Sequence, residues 1–316
     1  MDSHIMKLSV VIPCLNDHAQ VNPTIASLRD TTLGKDVEVI VIDDQSTRPV
    51  EIKDKSTRLL RMDQRVGGGV ARHIGALRAT NPYLLFTDAH MRFEQGWYEA
   101  AMDRIVGRDK VAHVGQCLGL SETNMDLSKA QGSYCGAKFN FVDRDPNNRD
   151  RMSVMEGVWD GPKQDDAEVE CFMGACYFWP RQLFLDLGGK NLLREWGSEE
   201  IFTSLKLWLT GSCIRFIEGA RIGHMFRSKN GYPAPQESVV YNKLMVAKVC
   251  MSDPAYQAIR QALVKSYGGD ERLVQIAERW LAQESRLVQT EQHRIRAYQT
   301  MDFEELLVRF RKKRFW

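Results

Sequence analysis

Short apolar runs alternate with helical patterns along the first third of the chain. Three strand-like runs, rich in apolar and β-branched residues, cover 8–13, 37–44 and 82–87. A helical pattern over 23–28 follows Asn22, a suitable N-cap, and a second one over 70–77 follows three consecutive glycines. This order of strand, helix, strand, helix and strand predicts a parallel sheet with right-handed crossover connections.

The pattern changes in the second half of the chain. The segment 143–150 is polar and contains proline, so we interpret it as an exposed loop. An amphipathic helix is predicted over 201–209, where Gly211 ends it, and the pattern is almost wholly helical from Tyr241 onward. The sequence therefore predicts an α/β region followed by a helical one.

Composition narrows the possible classes of protein. The chain has 316 residues, and 43% of them are hydrophobic, a composition typical of a globular protein. Its formal net charge of +2 excludes a nucleic-acid-binding protein that is basic over its whole surface. No apolar stretch approaches the roughly 18 residues that a membrane span needs. The seven cysteines are odd in number and scattered, which favours reduced thiols and a cytoplasmic location.

Carboxylates follow two of the predicted strands. Asp43 and Asp44 end one strand and Asp88 ends another, at the edge of the sheet where α/β proteins bind ligands. In an extended Asp88-Ala89-His90 segment, the first and third side chains point to the same side and can meet one metal ion, with His224 as a third ligand. The alternative is that Asp88 caps the next segment and His90 is an ordinary polar residue.

Other candidate residues also allow two interpretations. Glu199 and Glu200 begin a predicted helix, where they either complement the helix dipole or bind sugar hydroxyls and act as a base. Arg72 and Arg227 either pair with a diphosphate or are solvated at the surface. Three aromatic residues can stack on a sugar or base or can simply pack in the core or its rim, namely Trp159, Trp196 and Tyr232.

Taken in order, seven segments resemble motifs in the catalytic domain of the polypeptide N-acetylgalactosaminyltransferases, which are GT-A glycosyltransferases. The resemblance covers the chain from about Val10 to about Met251, and the seven segments lie within 39–44, 61–76, 88–90, 134–140, 173–175, 196–200 and 223–227. Within them, Asp88-Ala89-His90 resembles the metal motif of the family, and Gly223 to Arg227 resembles the segment with its third metal ligand. The resemblance therefore favours the metal-binding interpretation of Asp88 and His90.

The resemblance implies an α/β fold of the GT-A nucleotide-sugar-binding type, a Rossmann-like, mostly parallel sheet flanked by helices, with a helical C-terminal extension. We expect residual cloning sequence at 1–5, the glycosyltransferase domain at 6–250 and the extension at 251–316. The implied donor is a UDP-sugar, and the implied cofactor is Mn²⁺ or Mg²⁺ held by Asp88, His90 and His224. The implied catalytic residues are Glu199 and Arg227. The implied donor-binding residues are Pro13, Asp43, Asp44, Gly67, Arg72, Gly174, Ala175, Trp196 and Tyr232.

The chain also departs from the family. Ala175, Glu200 and Val70 stand where the family has glycine, asparagine and arginine, and Ala175 would alter the floor of the sugar pocket. The lectin domain and membrane anchor of the family have no counterpart, so we expect a bacterial or viral relative in cytoplasm, without membrane attachment. The sequence does not indicate an oligomeric state.

The acceptor and the stereochemistry stay open. The acceptor is either a polypeptide Ser or Thr or a hydroxymethylated DNA base, for which the basic, aromatic tail 309–316 offers phosphate and base contacts. The resemblance implies retention of anomeric configuration, whereas an inverting enzyme would use Glu199 or Glu200 as general base. A non-catalytic nucleic-acid-binding protein that uses the tail is the alternative from another class.

Overall fold

A computed structural model describes residues 7–145, 148–173, 176–228 and 234–316. The strands are β1 (Leu8–Cys14), β2 (Val37–Asp43), β3 (Arg58–Arg61), β4 (Tyr83–Phe86), β5 (Met91–Phe93), β6 (Val111–Ser121), β7 (Ser133–Tyr134), β8 (Ala137–Asp145), β9 (Asn148–Trp159), β10 (Tyr177–Pro180) and β11 (Cys213–Phe226). The helices are α1 (His18–Thr31), α2 (Gly68–Arg78), α3 (Trp97–Ile105), α4 (Arg181–Asp186), α5 (Glu199–Leu209), α6 (Gln236–Cys250), α7 (Asp253–Ser266), α8 (Arg272–Gln283), α9 (Ser285–Tyr298) and α10 (Phe303–Arg309).

The described strands form one large mixed sheet and a separate β8–β9 hairpin. The order in the sheet is β3-β2-β1-β4-β10-β6-β11-β5, and β7 pairs with β6. Strands β3, β2, β1 and β4 are parallel, as the alternating pattern predicts. Strand β10 runs antiparallel to both β4 and β6, because it follows the β8–β9 hairpin rather than a crossover helix. The α/β class is as predicted, but only one half of the sheet is uniformly parallel.

Helix α2 packs closely on the middle of the parallel half of the sheet. A Cβ atom at Gly75 would lie 2.3 Å from a methyl group of Val11, so only glycine allows this approach of the helix to β1. Strand β2 is covered on both sides, which explains its nearly continuous apolar sequence. This packing fixes the start of α2 beside the carboxyl ends of β1 and β2.

Helix α1 begins earlier than its sequence pattern predicts. It starts at His18, with Pro23 inside the helix, and not after Asn22. The Asn22 side chain is used in a tertiary contact, donating to the carbonyl of Glu51 at 2.8 Å and accepting from the N–H of Lys53 at 2.9 Å. The Asn22 side chain therefore holds the loop after β2 and does not cap helix α1.

The C-terminal helices share a hydrophobic core with the sheet. One cluster of buried side chains contains Val11 of β1, Tyr241 of α6 and Phe303 of α10. The tail beyond α10 adds Phe310, Phe315 and Trp316 to the edge of this core. Among the helices that the structure describes, none combines the length and the apolarity needed to cross a bilayer.

Candidate active site

A cavity of about 450 Å³ opens at the carboxyl ends of β1, β2 and β4. One aspartate shortly after each of these strands lines it, and these are Asp17, Asp44 and Asp88. The opposite wall comes from the turn before α5 and from the end of β11. This is the position where open α/β sheets bind ligands, so the topology explains why distant carboxylates meet here.

Three side chains with metal-ligating atoms converge in this cavity. One ligand atom from each of Asp88, His90 and His224 lies within 4.8 Å of the others. The two imidazole Nε2 atoms are 3.2 Å apart, and His224 Nε2 is 3.3 Å from a carboxylate oxygen of Asp88. Strand β5 brings them together, because Met91 pairs in register with His224 and places His90 beside it.

The hydrogen bonds around His90 suit a metal ligand. Its Nδ1 lies 2.6 Å from a carboxylate oxygen of Asp17, which accepts a hydrogen bond only if Nδ1 carries the proton. The lone pair is then on Nε2, which faces the Nε2 of His224. The two Nε2 atoms are 3.2 Å apart, which matches the roughly 3 Å between nitrogens bound at about 2.1 Å to adjacent positions of one ion. The three side chains therefore fit a divalent cation.

Asp17 also pairs with Arg227, with 2.6 Å between a carboxylate oxygen and a guanidinium nitrogen. Burial would raise the pKa of Asp17, but the hydrogen bond from His90 and the Arg227 guanidinium outweigh it and lower the pKa below its ordinary value. Asp17 therefore stays charged and holds both His90 and Arg227 in place. Sequence reasoning missed it, although it follows β1 as Asp44 follows β2.

Arg72 connects the metal-ligating cluster to helix α5. Its guanidinium pairs with Asp88 on one side and with Glu199, at 2.7 Å, on the other. Burial would raise the pKa of Asp88, but Arg72 and the hydrogen bond with His224 hold it well below its usual range. Lys190, fully buried, adds a second cation 3.2 Å from Glu199 and donates to the Tyr177 hydroxyl at 2.7 Å. Nothing in the sequence marked Lys190, which looks like an exposed loop lysine.

The two neighbouring glutamates have different surroundings. Glu199 is neutralised by Arg72 and Lys190. Glu200 lines the cavity, and within the described part of the chain its carboxylate forms no ion pair. Burial and the charge of Glu199 raise the pKa of Glu200. Glu200 is therefore the more suitable proton acceptor of the two.

The two aspartates that end β2 also differ. Asp44 lines the cavity and accepts hydrogen bonds from the backbone of Val66 at 2.7 Å and of Gly67 at 3.0 Å, which fixes the start of α2. Gly67 has a φ of 85°, and a Cβ atom there would lie 2.3 Å from the carbonyl oxygen of Glu195. Asp43 lies behind the cavity lining, where it accepts from the backbone of the following loop and pairs with Arg61.

The structure brings most of the predicted site residues together. Those that line the cavity are Pro13, Asp44, Arg72, Asp88, His90, Trp159, Trp196, Glu199, Glu200, His224 and Arg227. Gly67 lies at its edge, next to Gly68, which does line it, while Asp43 lies outside. The predicted donor-binding residues Gly174, Ala175 and Tyr232 lie outside the described residues.

Comparison with known proteins identifies sequence relatives. Residues 9–158 match the family described as Glycosyl transferase family 2. Polypeptide N-acetylgalactosaminyltransferase 8 of Drosophila melanogaster is 30% identical over 236 residues, covering 71% of this chain and 38% of that protein. Polypeptide N-acetylgalactosaminyltransferase 3 of the same organism is 28% identical over 233 residues, covering 69% and 35%. The chain thus spans little more than a third of the length of these relatives.

Solved structures show the same fold. The crystal structure of GalNAc-T7 with UDP, GalNAc and Mn²⁺ aligns with a TM-score of 0.71 and 20% identity, covering 97% of this chain and 57% of that one. S. aureus TarS 1-349 in complex with UDP-GlcNAc aligns with a TM-score of 0.54 and 14% identity, covering 84% and 74%. The predicted GT-A fold is confirmed, residues 9–158 match Glycosyl transferase family 2, and the chain resembles the polypeptide N-acetylgalactosaminyltransferases.

Proposed function

We propose that this chain is a metal-dependent glycosyltransferase that moves a sugar from a UDP-sugar to an acceptor hydroxyl. The observation that carries the proposal is the convergence of Asp88, His90 and His224 in a cavity that also holds Asp44 and Arg72. The names of the relatives support a GalNAc, GlcNAc or related donor, since they are N-acetylgalactosaminyltransferases and one similar structure contains UDP-GlcNAc. We further propose 6–250 as the catalytic domain and 251–316 as its helical extension.

Asp88, His90 and His224 would hold Mn²⁺ or Mg²⁺, and mixed carboxylate and imidazole ligands suit Mn²⁺ in particular. Such an ion stabilises the negative charge that grows on a departing diphosphate. Asp17 keeps the His90 proton on Nδ1, and Arg227 lies on the same side of the cavity, where its charge favours phosphate oxygens. The chain therefore supplies positive charge where the leaving group forms.

The remaining donor contacts are proposed from the position of Asp44 and from the resemblance to the family. Asp44 is near the uridine or ribose in this proposal, because it ends β2 at the cavity. Asp43 acts indirectly, by holding the loop after that strand. The further donor-binding residues that we propose are Pro13, Gly67, Arg72, Gly174, Ala175, Trp196 and Tyr232.

We propose retention of anomeric configuration, with the acceptor attacking from the face that the diphosphate leaves. A phosphate oxygen then takes the acceptor proton, so no protein base is needed. The buried ion pairs of Glu199 support this, because a carboxylate held by Arg72 and Lys190 is better suited to positioning a sugar than to accepting a proton.

Inversion with Glu200 as general base is the second candidate. Its carboxylate lines the cavity without an ion pair among the described residues, and its raised pKa makes it a better proton acceptor than an ordinary glutamate. The anomer of the product distinguishes the two mechanisms.

A polypeptide Ser or Thr and a hydroxymethylated DNA base are the two acceptors to compare. The tail gives little support to DNA, since Arg309 pairs with Glu168 and Lys312 with Glu170, each at 2.7 Å. Its aromatic side chains pack on the protein itself. The names of the relatives favour a polypeptide.

The test is incubation with UDP-GalNAc, UDP-GlcNAc and UDP-glucose in Mn²⁺ or EDTA, with a Ser/Thr peptide or hydroxymethylated DNA as acceptor. We expect Mn²⁺-dependent release of UDP, transfer seen by mass spectrometry, and an α-linked product by NMR. A β-linked product made only when Glu200 is present would support the inverting mechanism. Full activity in EDTA would contradict metal dependence.

A further inference from the structure

The turn between Arg194 and Ser198 carries one wall of the candidate active site. Trp196 is 41% exposed and lines the cavity, and the turn leads directly into Glu199 at the start of α5. Two of its non-glycine residues have left-handed backbone angles, since φ is 50° at Glu195 and 64° at Ser198. Such conformations persist only where the surroundings determine them strongly.

The Asn242 side chain on α6 holds the turn in this conformation. It is fully buried, and its Nδ2 donates to the carbonyl oxygens of Arg194 at 2.8 Å, Trp196 at 3.2 Å and Gly197 at 3.0 Å. Its Oδ1 accepts from the Arg194 N–H at 2.8 Å. The orientation of the amide is fixed, because only Nδ2 can face carbonyl oxygens and only Oδ1 can face an N–H.

The turn is also held at two other points, which do not depend on Asn242. The Arg194 guanidinium lies against the rings of Tyr241 and Trp280, 4.7 and 4.5 Å from their centres, and pairs with Glu284. On the far side, the carbonyl of Glu195 accepts from the N–H of Gly68 at 3.0 Å. Loss of the Asn242 carboxamide should therefore loosen Trp196 and Gly197, while the start of the turn stays attached through Arg194 and Glu195.

We propose that Asn242 is a positioning residue of the active site, which fixes the Arg194–Gly197 backbone so that Trp196 and Glu199 face the donor. The proposal rests on the glycosyltransferase function above. It gives the C-terminal helices a part in catalysis, although they contribute none of the metal-ligating side chains. The metal and diphosphate side of the cavity is formed by the segments after β1 and β4 and by the end of β11, so it should be unaffected.

The test compares Asn242→Ala and the equally sized Asn242→Asp with Gln292→Ala. Gln292 is the matched control, because its carboxamide also donates to a backbone carbonyl of α6, that of Lys248 at 2.7 Å, far from the turn. We expect both Asn242 variants to bind UDP with Mn²⁺ within about twofold of wild type, and kcat for UDP-sugar hydrolysis to fall by about 10- to 100-fold. Gln292→Ala should leave kcat unchanged.

A second readout follows the turn itself. Quenching of Trp196 by acrylamide, taken as the difference between each protein and its Trp196→Phe version, should increase in the Asn242 variants alone. Equal kcat and equal quenching in wild type and Asn242→Asp would overturn the proposal. A fall in kcat in Gln292→Ala as large as that in the Asn242 variants would also overturn it. If wild type neither binds UDP nor hydrolyses a UDP-sugar, the proposed glycosyltransferase function is wrong. The quenching difference still decides the role of Asn242 in the turn.

Discussion

The two ends of helix α5 each bury a charged side chain, and the first of these ends lines the candidate active site. Glu199 in the first turn pairs with Arg72 and Lys190 beside the cavity. Lys206 in the last turn pairs with Glu291 of α9 at 2.9 Å, and donates to the carbonyls of Leu187 at 2.8 Å and Gly189 at 3.0 Å.

The difference lies in how fully the groups are satisfied. All three N–H donors of Lys206 are used, so its ammonium group has none left for a ligand. At the other end, the network continues through Arg72 to Asp88, beside which two imidazole nitrogens lie 3.2 Å apart at the wall of the cavity. The candidate active site therefore differs from the Lys206–Glu291 pair in having metal-ligating atoms that converge beside open volume.

Breaking the Lys206–Glu291 pair in the last turn of α5, the closed end of the helix, should have the largest effect on stability. Lys206→Met leaves Glu291 buried without its main partner, so we expect the free energy of unfolding to fall by about 3–5 kcal/mol. Urea denaturation measures this, and activity per folded molecule should stay within about twofold. Adding Glu291→Leu should restore much of the stability, and a Lys206→Met protein as stable as wild type would contradict the account.

Breaking the network that starts in the first turn of α5, the open end of the helix, should instead affect activity. Asp88→Asn removes a proposed metal ligand, and we expect Mn²⁺-dependent UDP-sugar turnover to fall at least about a hundredfold, or about 2.7 kcal/mol. The loss of stability should be smaller than for Lys206→Met, because Arg72 keeps Glu199. A variant with near-normal turnover would remove Asp88 from the site.

The tail should act through packing rather than through charge. Phe310 contacts Trp208 and Phe139, with ring centres 5.0 and 5.9 Å apart, so Phe310→Ala should cost about 1–3 kcal/mol of stability. Exposed Lys313→Gln should change it by less than about 0.5 kcal/mol. Thermal unfolding compares the two, and DNA binding that disappears with Lys313→Gln would instead support the nucleic-acid hypothesis.

The smallest expected effect is that of replacing Glu200. Its pKa is raised by burial and by Glu199, so the charged form is disfavoured in the folded state and stability is lost as pH rises through the folded pKa. Glu200→Gln should therefore be slightly more stable than wild type at pH 7, and the difference should vanish near pH 4. Unfolding curves at the two pH values measure this, and a less stable variant at pH 7 would show that the carboxylate is satisfied.

Much of this arrangement could be predicted from the sequence. The apolar runs of β1, β2 and β4 were evident, and the positions of Asp44 and Asp88 after them predicted the ligand-binding edge. The direction of β10 and the start of α1 could not be predicted, because they depend on the hairpin before β10 and on a tertiary contact of Asn22. Lys190 and Asn242 gave no signal, since a buried polar partner is recognisable only once distant elements are placed together.

Binding of Mn²⁺ in the presence of UDP tests the central claim most directly. Electron paramagnetic resonance of free Mn²⁺ counts the ions bound per chain, for wild type, His90→Ala and His224→Ala, with Lys206→Met as the control from the closed end of α5. The account predicts one UDP-dependent Mn²⁺ per chain in wild type and Lys206→Met, and its loss in both histidine variants. Equal Mn²⁺ binding in wild type and the histidine variants would contradict it.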